Sequence, residues 1–83
     1  MRLAKYVKFR EEKFGGVLFE TRSEKVYTLN VVATAVVREI EAGRDAQEIV
    51  RRLKESFHDP DQAIEREATA FIADLRAKGL AED

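Results

Sequence analysis

The hydrophobic pattern of this 83-residue chain changes its period at Asn30. Before Asn30, apolar and charged residues alternate along short runs, which is typical of strands that bury one face. After Asn30, apolar residues recur about every 3.6 positions, which is typical of amphipathic helices. Strands followed by helices indicate an α+β domain, in which the helices cover one face of an antiparallel sheet. A chain of this length has room for one hydrophobic core, so we expect a single domain over residues 1–83.

Three strands are predicted in the first thirty residues. We expect Gly15-Gly16, which accept positive φ, to close the first connection, and the polar segment 22–24 to form a second turn of hairpin length. Two successive hairpins make a three-stranded antiparallel meander, whose third strand is an edge unless another element covers it. The predicted strands span about residues 5–10, 16–22 and 25–29.

Capping residues mark the first two helices. Asn30 can accept hydrogen bonds from the first turn of helix one, and Gly43 is placed as the C-terminal cap of that helix. Asp45, with Glu48 three residues later, predicts a capping box at the start of helix two. The predicted helices span about residues 31–42, 46–57 and 60–78.

The third helix has signals at both of its ends. Asp59 can cap it, Pro60 falls at the first helical position, and Gln62 completes a second capping box. Gly79 ends the helix, and Leu80 can fold back onto its last turn. Three short helices with tight connections resemble a winged helix-turn-helix, so we predict an α+β fold of that arrangement.

The composition excludes several classes of site. The chain has no cysteine, which rules out disulfides, thiolate nucleophiles and zinc sites with sulfur ligands. Its N-terminus becomes charged before any signal-length apolar run, and no stretch approaches the roughly eighteen apolar residues of a membrane span. We therefore expect a cytoplasmic protein with no membrane partner. Residues 1–30 carry seven Lys or Arg against four Glu, whereas residues 31–83 carry eight Lys or Arg against twelve Asp or Glu.

Residues suited to catalysis are scarce. The only histidine, His58, precedes a predicted helix start, where histidine is most often solvated. Gly15-Gly16 lacks the following Lys-Ser/Thr or helix start of a phosphate loop. Paired carboxylates need a pocket that separates their pKa values, and those of this chain lie among Lys and Arg on faces that we interpret as solvated. We therefore expect no enzyme activity, no metal site and no cofactor. The pairs are Glu11-Glu12, Glu39 with Glu41, and Glu65 with Glu67.

A winged-helix topology also suggests nucleic-acid binding as an alternative function, with helix three as the recognition helix. DNA affinity rests on cations that meet phosphates, whereas the start of helix three is acidic, so we expect no nucleic-acid partner. The alternative stays open because helix two carries a basic cluster. A dimerising regulatory domain is a further alternative, since an unpaired strand can pair with its own copy and give a homodimer. The acidic start comprises Asp59, Asp61, Glu65 and Glu67 against Arg66, and the basic cluster comprises Arg51, Arg52 and Lys54.

Six segments carry a likeness to a known family. They are residues 14–19, 26–30, 33–40 with Gly43, 46–50, 71–75, and Gly79-Leu80. Together they resemble the PqqD-like family, whose members recognise the precursor peptides of ribosomally made, post-translationally modified products. The likeness spans about residues 7–80, and its most telling piece is the Leu29-Asn30 junction between strand three and helix one. Residues 9–30 are also similar to the small binding protein of the mycofactocin type.

The resemblance implies a non-catalytic chaperone that captures the leader of a precursor peptide. Such a chaperone presents the leader to a modifying enzyme, typically a radical S-adenosylmethionine maturase of the SPASM type with iron–sulfur clusters. The leader adds as a strand to the edge of strand three and lies in the cleft between that strand and helix three. A chain without cysteine offers no thiolates for such clusters, which agrees with chemistry that resides in the partner.

The predicted peptide-binding residues lie on strand three and helix three. About four main-chain hydrogen bonds give about 2 to 6 kcal/mol, whereas micromolar binding requires about 8 kcal/mol, so side chains must contribute. Small residues on helix three would let a peptide backbone come close, beside the edge of Phe71. Alternatively, Ala63 and Ala70 are only helix formers on the surface and Phe71 belongs wholly to the core. Either Tyr27 and Leu29 or Val26 and Thr28 face inward. The predicted set is Lys25, Val26, Tyr27, Thr28, Leu29, Ala63, Glu67, Ala70, Phe71 and Asp74.

Overall fold

A computed structural model of the chain describes residues 1–58 and 63–83. A three-stranded sheet and three helices make up most of it, and a short pair of strands joins the two ends of the described chain. The predicted α+β fold, with a meander followed by three helices, is confirmed. In chain order the elements are β1 (Arg2–Leu3), β2 (Val7–Glu12), β3 (Gly15–Glu20), β4 (Lys25–Leu29), α1 (Val31–Glu41), α2 (Ala46–Ser56), α3 (Ala63–Ala77) and β5 (Ala81–Glu82).

The meander pairs β2 with β3 and β3 with β4, both antiparallel. The strand predicted over 5–10 begins at Val7 instead, because the chain turns before it and the Val7 amide donates to the Ala4 carbonyl at 3.0 Å. The strand continues to Glu12, and a two-residue turn connects Glu12 to Gly15. The next strand, predicted over 16–22, lies over Gly15–Glu20.

Gly15 and Gly16 therefore lie inside β3 and do not form the connection between strands, which corrects the prediction. Gly15 has φ of 148°, and a Cβ atom there would lie 2.2 Å from the Leu29 carbonyl oxygen. A Cβ atom at Gly16 would lie 2.9 Å from Thr34 Oγ1. These glycines are needed because the start of β3 packs directly against the junction of β4 and α1.

The turn between β3 and β4 is built around the carboxylate of Glu20, which is only 7% exposed. The carboxylate accepts from the backbone amides of Arg22 at 2.8 Å and Ser23 at 3.1 Å, and from the Ser23 hydroxyl. The Ser23 hydroxyl is the largest influence and, with these amides, lowers the pKa of Glu20 despite burial. The side chain thus replaces the main-chain partners that a four-residue turn leaves unpaired.

The predicted caps of α1 and α2 are confirmed. The Ala33 amide donates to Asn30 Oδ1 at 2.8 Å, and Gly43 follows the C-terminus of α1 with φ of 84°. Asp45 and Glu48 form the reciprocal capping box at the start of α2. Each cap satisfies backbone groups that a helix end leaves without a partner.

The C-terminal end of α3 is also as predicted. Gly79 adopts φ of 72°, and the Leu80 amide donates to the Leu75 carbonyl at 2.8 Å, as in a Schellman motif. Leu80 is buried, so it provides the accompanying hydrophobic contact. The predicted start, with Asp59, Pro60 and Gln62, lies outside the described residues.

α1 packs on one face of the meander, and α2 and α3 pack against α1 and against each other, so that the sheet and the helices enclose one core. α1 is central, because it contacts β3, β4, α2 and α3. None of the three described helices combines the length and the apolar composition needed to cross a membrane. The core side chains come from the inner face of the sheet and from each helix, and include Leu18, Leu29, Val36, Val37, Ile40, Ile49, Leu53, Ala68, Ile72 and Leu75.

Candidate peptide-binding site

The sheet has two edges, because its strand order is β2-β3-β4. On β2 the outer face carries Lys8, Arg10 and Glu12, and charged side chains are a common protection of edge strands against pairing. On β4 the central residues Val26 to Thr28 are uncharged. Within the described part of the chain no strand pairs with the outer edge of β4. β4 is therefore the edge suited to accept another strand.

The register identifies which main-chain groups of β4 point outward. β2 and β3 keep the same register along their whole length, and Tyr6 and Thr21 form the next opposite pair. This pair is hydrogen-bonded, because the Thr21 amide donates to the Tyr6 carbonyl at 2.8 Å. Even-numbered residues of β2 therefore bond to odd-numbered residues of β3. The even-numbered residues of β3 point to β4, where their partners are the odd-numbered residues 25, 27 and 29. Val26 and Thr28 consequently direct two N–H and two C=O groups away from the sheet.

The side chains of β4 alternate between the two faces of the sheet. Leu29 is buried and Tyr27 packs against the core, so these two face the helices. Val26 is 61% exposed and Thr28 is exposed on the opposite, outer face, and Lys25 is exposed at the start of the strand. Tyr27 and Leu29 are thus the inward pair of the two alternatives. Val26 and Thr28 can meet a peptide through their main chain, and their side chains lie outside the groove.

The predicted helix residues lie on α3 as an exposed surface. Phe71 is half-buried and packs against the core. It therefore belongs partly to the core and keeps one edge exposed on the surface of α3. The small and acidic residues around it are exposed, which is compatible with a wall that a peptide backbone could approach closely. These residues are Ala63, Glu67, Ala70 and Asp74.

A hydrogen bond joins the end of β4 to this wall. Asn30 Nδ2 donates to Glu67 Oε1 at 3.1 Å, while Asn30 Oδ1 caps α1. The prediction identified Asn30 as a cap and missed its second contact. The signal was its residue type, because Asn is the common capping residue whose side chain offers both an acceptor and N–H donors.

The basic cluster of α2 is largely neutralised by acidic partners. Arg52 pairs with Glu39, and Lys54 Nζ lies 2.8 Å from Glu65 Oε1. Arg51 is the member of the cluster without an ion pair to a described residue. Since phosphate binding needs available cations, this surface gives little support to the nucleic-acid alternative.

The described residues show no metal-binding arrangement. In the part of the chain that the structure describes, no three His, Cys, Asp or Glu side chains are grouped to hold a metal ion. His58 is exposed, as expected for a solvated histidine.

An α+β domain with an open edge strand beside a helix has the geometry that peptide-recognition domains use for strand addition. The family model described as coenzyme PQQ synthesis protein D (PqqD) matches residues 15–81. The chain belongs to the PqqD family, as its sequence predicted. PqqD-like recognition elements are generally non-catalytic and partner with modifying enzymes.

Solved structures share the whole fold of this chain. One is a lasso peptide synthetase B1 complexed with the leader peptide, with 23% identity and a TM-score of 0.80 over 99% of this chain and 96% of that one. Another is TbiB1 in complex with the TbiA(beta) leader peptide, with 21% identity and a TM-score of 0.82 over 100% of both chains. No curated protein matches the sequence.

Proposed function

We propose that this chain is a cytoplasmic, non-catalytic peptide chaperone that captures the leader of a ribosomally synthesised precursor peptide as an added strand on β4. The outward main-chain groups of Val26 and Thr28 are the observation on which this mechanism rests. Membership of the PqqD family supports leader binding, and both similar structures are described as complexes with leader peptides. The chain then presents the leader to a modifying enzyme.

The added strand would lie about 4.8 Å from β4 and form up to four main-chain hydrogen bonds with it. Every second side chain of the leader would point toward α3, where Ala63 and Ala70 leave space and Phe71 offers an apolar edge. Main-chain bonds alone give about 2 to 6 kcal/mol, below the roughly 8 kcal/mol of micromolar binding. Contacts along α3 therefore decide both the affinity and the choice of leader.

The chemistry belongs to the partner in this proposal. A radical S-adenosylmethionine maturase holds iron–sulfur clusters through cysteine thiolates, and this chain has no cysteine to contribute. The role of the chain is to raise the local concentration of the leader at the enzyme and to fix its direction.

Titration of isotope-labelled protein with the leader encoded beside its gene tests the proposal. We expect the amides of Val26 and Thr28 to shift and to become protected from hydrogen exchange, because they gain hydrogen-bond acceptors. Residues on α3 around Ala70 should shift as well. Changes confined to the α2 region around Arg51 would contradict capture by β4.

A further inference from the structure

The outer face of the meander is an uncovered surface with an apolar centre. The register places side chains of all three strands in two rows across this face, and α1, which carries α2 and α3, packs on the opposite one. Phe19 is 36% exposed and Val26 is 61% exposed. Together with neighbouring residues they line a cavity of about 520 Å³, large enough for one or two side chains of another protein. The rows are Lys8, Phe19, Val26 and Arg10, Val17, Thr28.

Charge limits what can cover this face. Lys8 and Arg10 stand at the β2 side of the two rows, and Arg10 Nε lies 2.6 Å from Glu12 Oε1. Lys8 has no ion pair with a described residue. Two copies stacked face to face would bring the cations of both around one apolar centre, which is unfavourable. A partner with an apolar protrusion and an acidic rim fits both features.

The position of the face relative to β4 indicates which partner this is. A leader strand paired with β4 extends the sheet sideways and leaves the outer face of the three strands open. Its alternate side chains would lie beside Val26 and Thr28 and continue the two rows. A protein seated on the outer face would thus touch both the chaperone and its bound leader.

We propose that the outer face of the meander, centred on Phe19 and rimmed by Lys8 and Arg10, docks the modifying enzyme through an apolar protrusion with acidic neighbours. The inference rests on the proposed leader capture and adds a second, separate surface to it. β4 binds the leader through its edge, and the outer face recruits the enzyme.

Two variants and two matched controls test this surface. Phe19→Thr removes the apolar centre in a strand that tolerates threonine, and Lys8→Glu reverses the rim charge. Phe14→Thr changes a phenylalanine that is 56% exposed at the hairpin turn, and Lys13→Glu reverses a charge in the same turn. The binding partner in the assay is the purified modifying enzyme whose gene lies beside that of this chain. Thermal melting checks that each variant folds.

The readouts are the affinity for the leader and the affinity of the chain–leader complex for the immobilised enzyme. We expect Phe19→Thr to weaken enzyme binding about tenfold or more, as loss of a central interface aromatic does, with leader affinity within about twofold of wild type. Lys8→Glu should also weaken enzyme binding, whereas both controls should not. If Phe19→Thr fails to fold, the pair Lys8→Glu and Lys13→Glu decides the question.

Two results would overturn the docking surface while leader capture stands. One is enzyme affinity unchanged in both variants, and the other is a loss of leader affinity in Phe19→Thr equal to its loss of enzyme affinity. If the wild-type chain does not bind the leader at all, the proposed function fails and the docking inference fails with it.

Discussion

At the scale of single residues, Asn30 holds two elements together. Its side-chain oxygen caps α1 through the Ala33 amide, and its side-chain nitrogen donates to Glu67 on α3. Asp could provide the first contact and not the second, because a carboxylate has no donor at neutral pH. The residue that follows β4, the proposed peptide-binding edge, therefore also contacts α3, the proposed wall of the groove.

Replacement of Asn30 separates these two contacts. Asn30→Ser keeps a capping oxygen, but its shorter side chain cannot reach Glu67 as the amide does. We expect leader affinity to fall severalfold, because the wall is no longer held, and stability to fall by about 0.5 to 1 kcal/mol. Calorimetric titration with the leader and thermal unfolding measure both. Glu67→Gln keeps a side-chain oxygen that can accept from Asn30 and is the control. Leader affinity equal to that of the wild type in Asn30→Ser would disprove the positioning role of Asn30.

Gly15 is a second residue whose role the structure defines. Gly15→Ala would place a Cβ atom 2.2 Å from the Leu29 carbonyl oxygen at φ of 148°, so β3 must move away from β4. Gly43→Ala is the matched control, since Gly43 also has positive φ but has open space around its Cβ position. We expect Gly15→Ala to lower the free energy of unfolding by at least about 1 kcal/mol more than Gly43→Ala in urea titrations. Equal losses would show that φ alone matters at Gly15.

At the scale of elements, the sequence predicted what depends on local signals. Asn30, Gly43 and Asp45 mark their helix ends through contacts within a few residues, so the sequence reveals them. The inward face of β4 became known only from the burial of its side chains in the structure, because both alternating pairs of that strand contain an apolar residue. The glycines of β3 were misplaced because their close packing partners, Leu29 for Gly15 and Thr34 for Gly16, are distant in sequence. The Asn30 to Glu67 contact was missed for the same reason.

Proline scanning of β4 tests the orientation of its main chain. Val26→Pro removes an outward N–H that β3 does not use, so leader affinity should fall about tenfold with a small loss of stability. Tyr27→Pro removes an N–H that bonds to β3 and should destabilise the fold more than either outward position. Thermal unfolding and calorimetric titration with the leader distinguish these effects. Equal tolerance at 26, 27 and 28 would contradict strand addition to β4.

The α3 wall can be tested with two equivalent alanines. Ala70→Gln puts a longer side chain where we expect the leader backbone to pass, and should weaken leader binding severalfold. Ala73→Gln, an exposed alanine three residues later, borders a cavity between α2 and α3 and serves as the control. The two substitutions have the same helix-propensity cost, so their stabilities should agree. Similar leader affinities for the two variants would remove α3 from the site.

At the scale of the whole molecule, one ion pair joins the meander to α1 and another joins α1 to α2. Arg38 of α1 donates to Glu11 of β2 through Nε at 2.9 Å and Nη2 at 3.1 Å. The neighbouring Glu39 pairs with Arg52 of α2. α1 thus connects the sheet that carries the binding edge to the helical layer that carries the wall. Loss of the carboxylate charges of Glu11 and Glu39 should weaken the attachment of the sheet to the helical layer.

Acid should therefore destabilise the chain through identifiable groups. The Arg38 guanidinium lowers the pKa of Glu11, and the Ser23 hydroxyl lowers the pKa of Glu20, each from an ordinary value of 4.5. A carboxyl whose pKa is lower in the folded state stabilises the fold above its unfolded pKa and loses that contribution as the pH falls through the folded pKa. We expect the free energy of unfolding to stay level from pH 7 to about 5.5 and to fall below about 4.5. Urea unfolding across this range measures it.

Glu11→Gln and Glu20→Gln should each be less stable at pH 7 and show a shallower decline in acid, because the titrating group is gone. A decline as steep as wild type in both variants would assign acid sensitivity to other carboxylates.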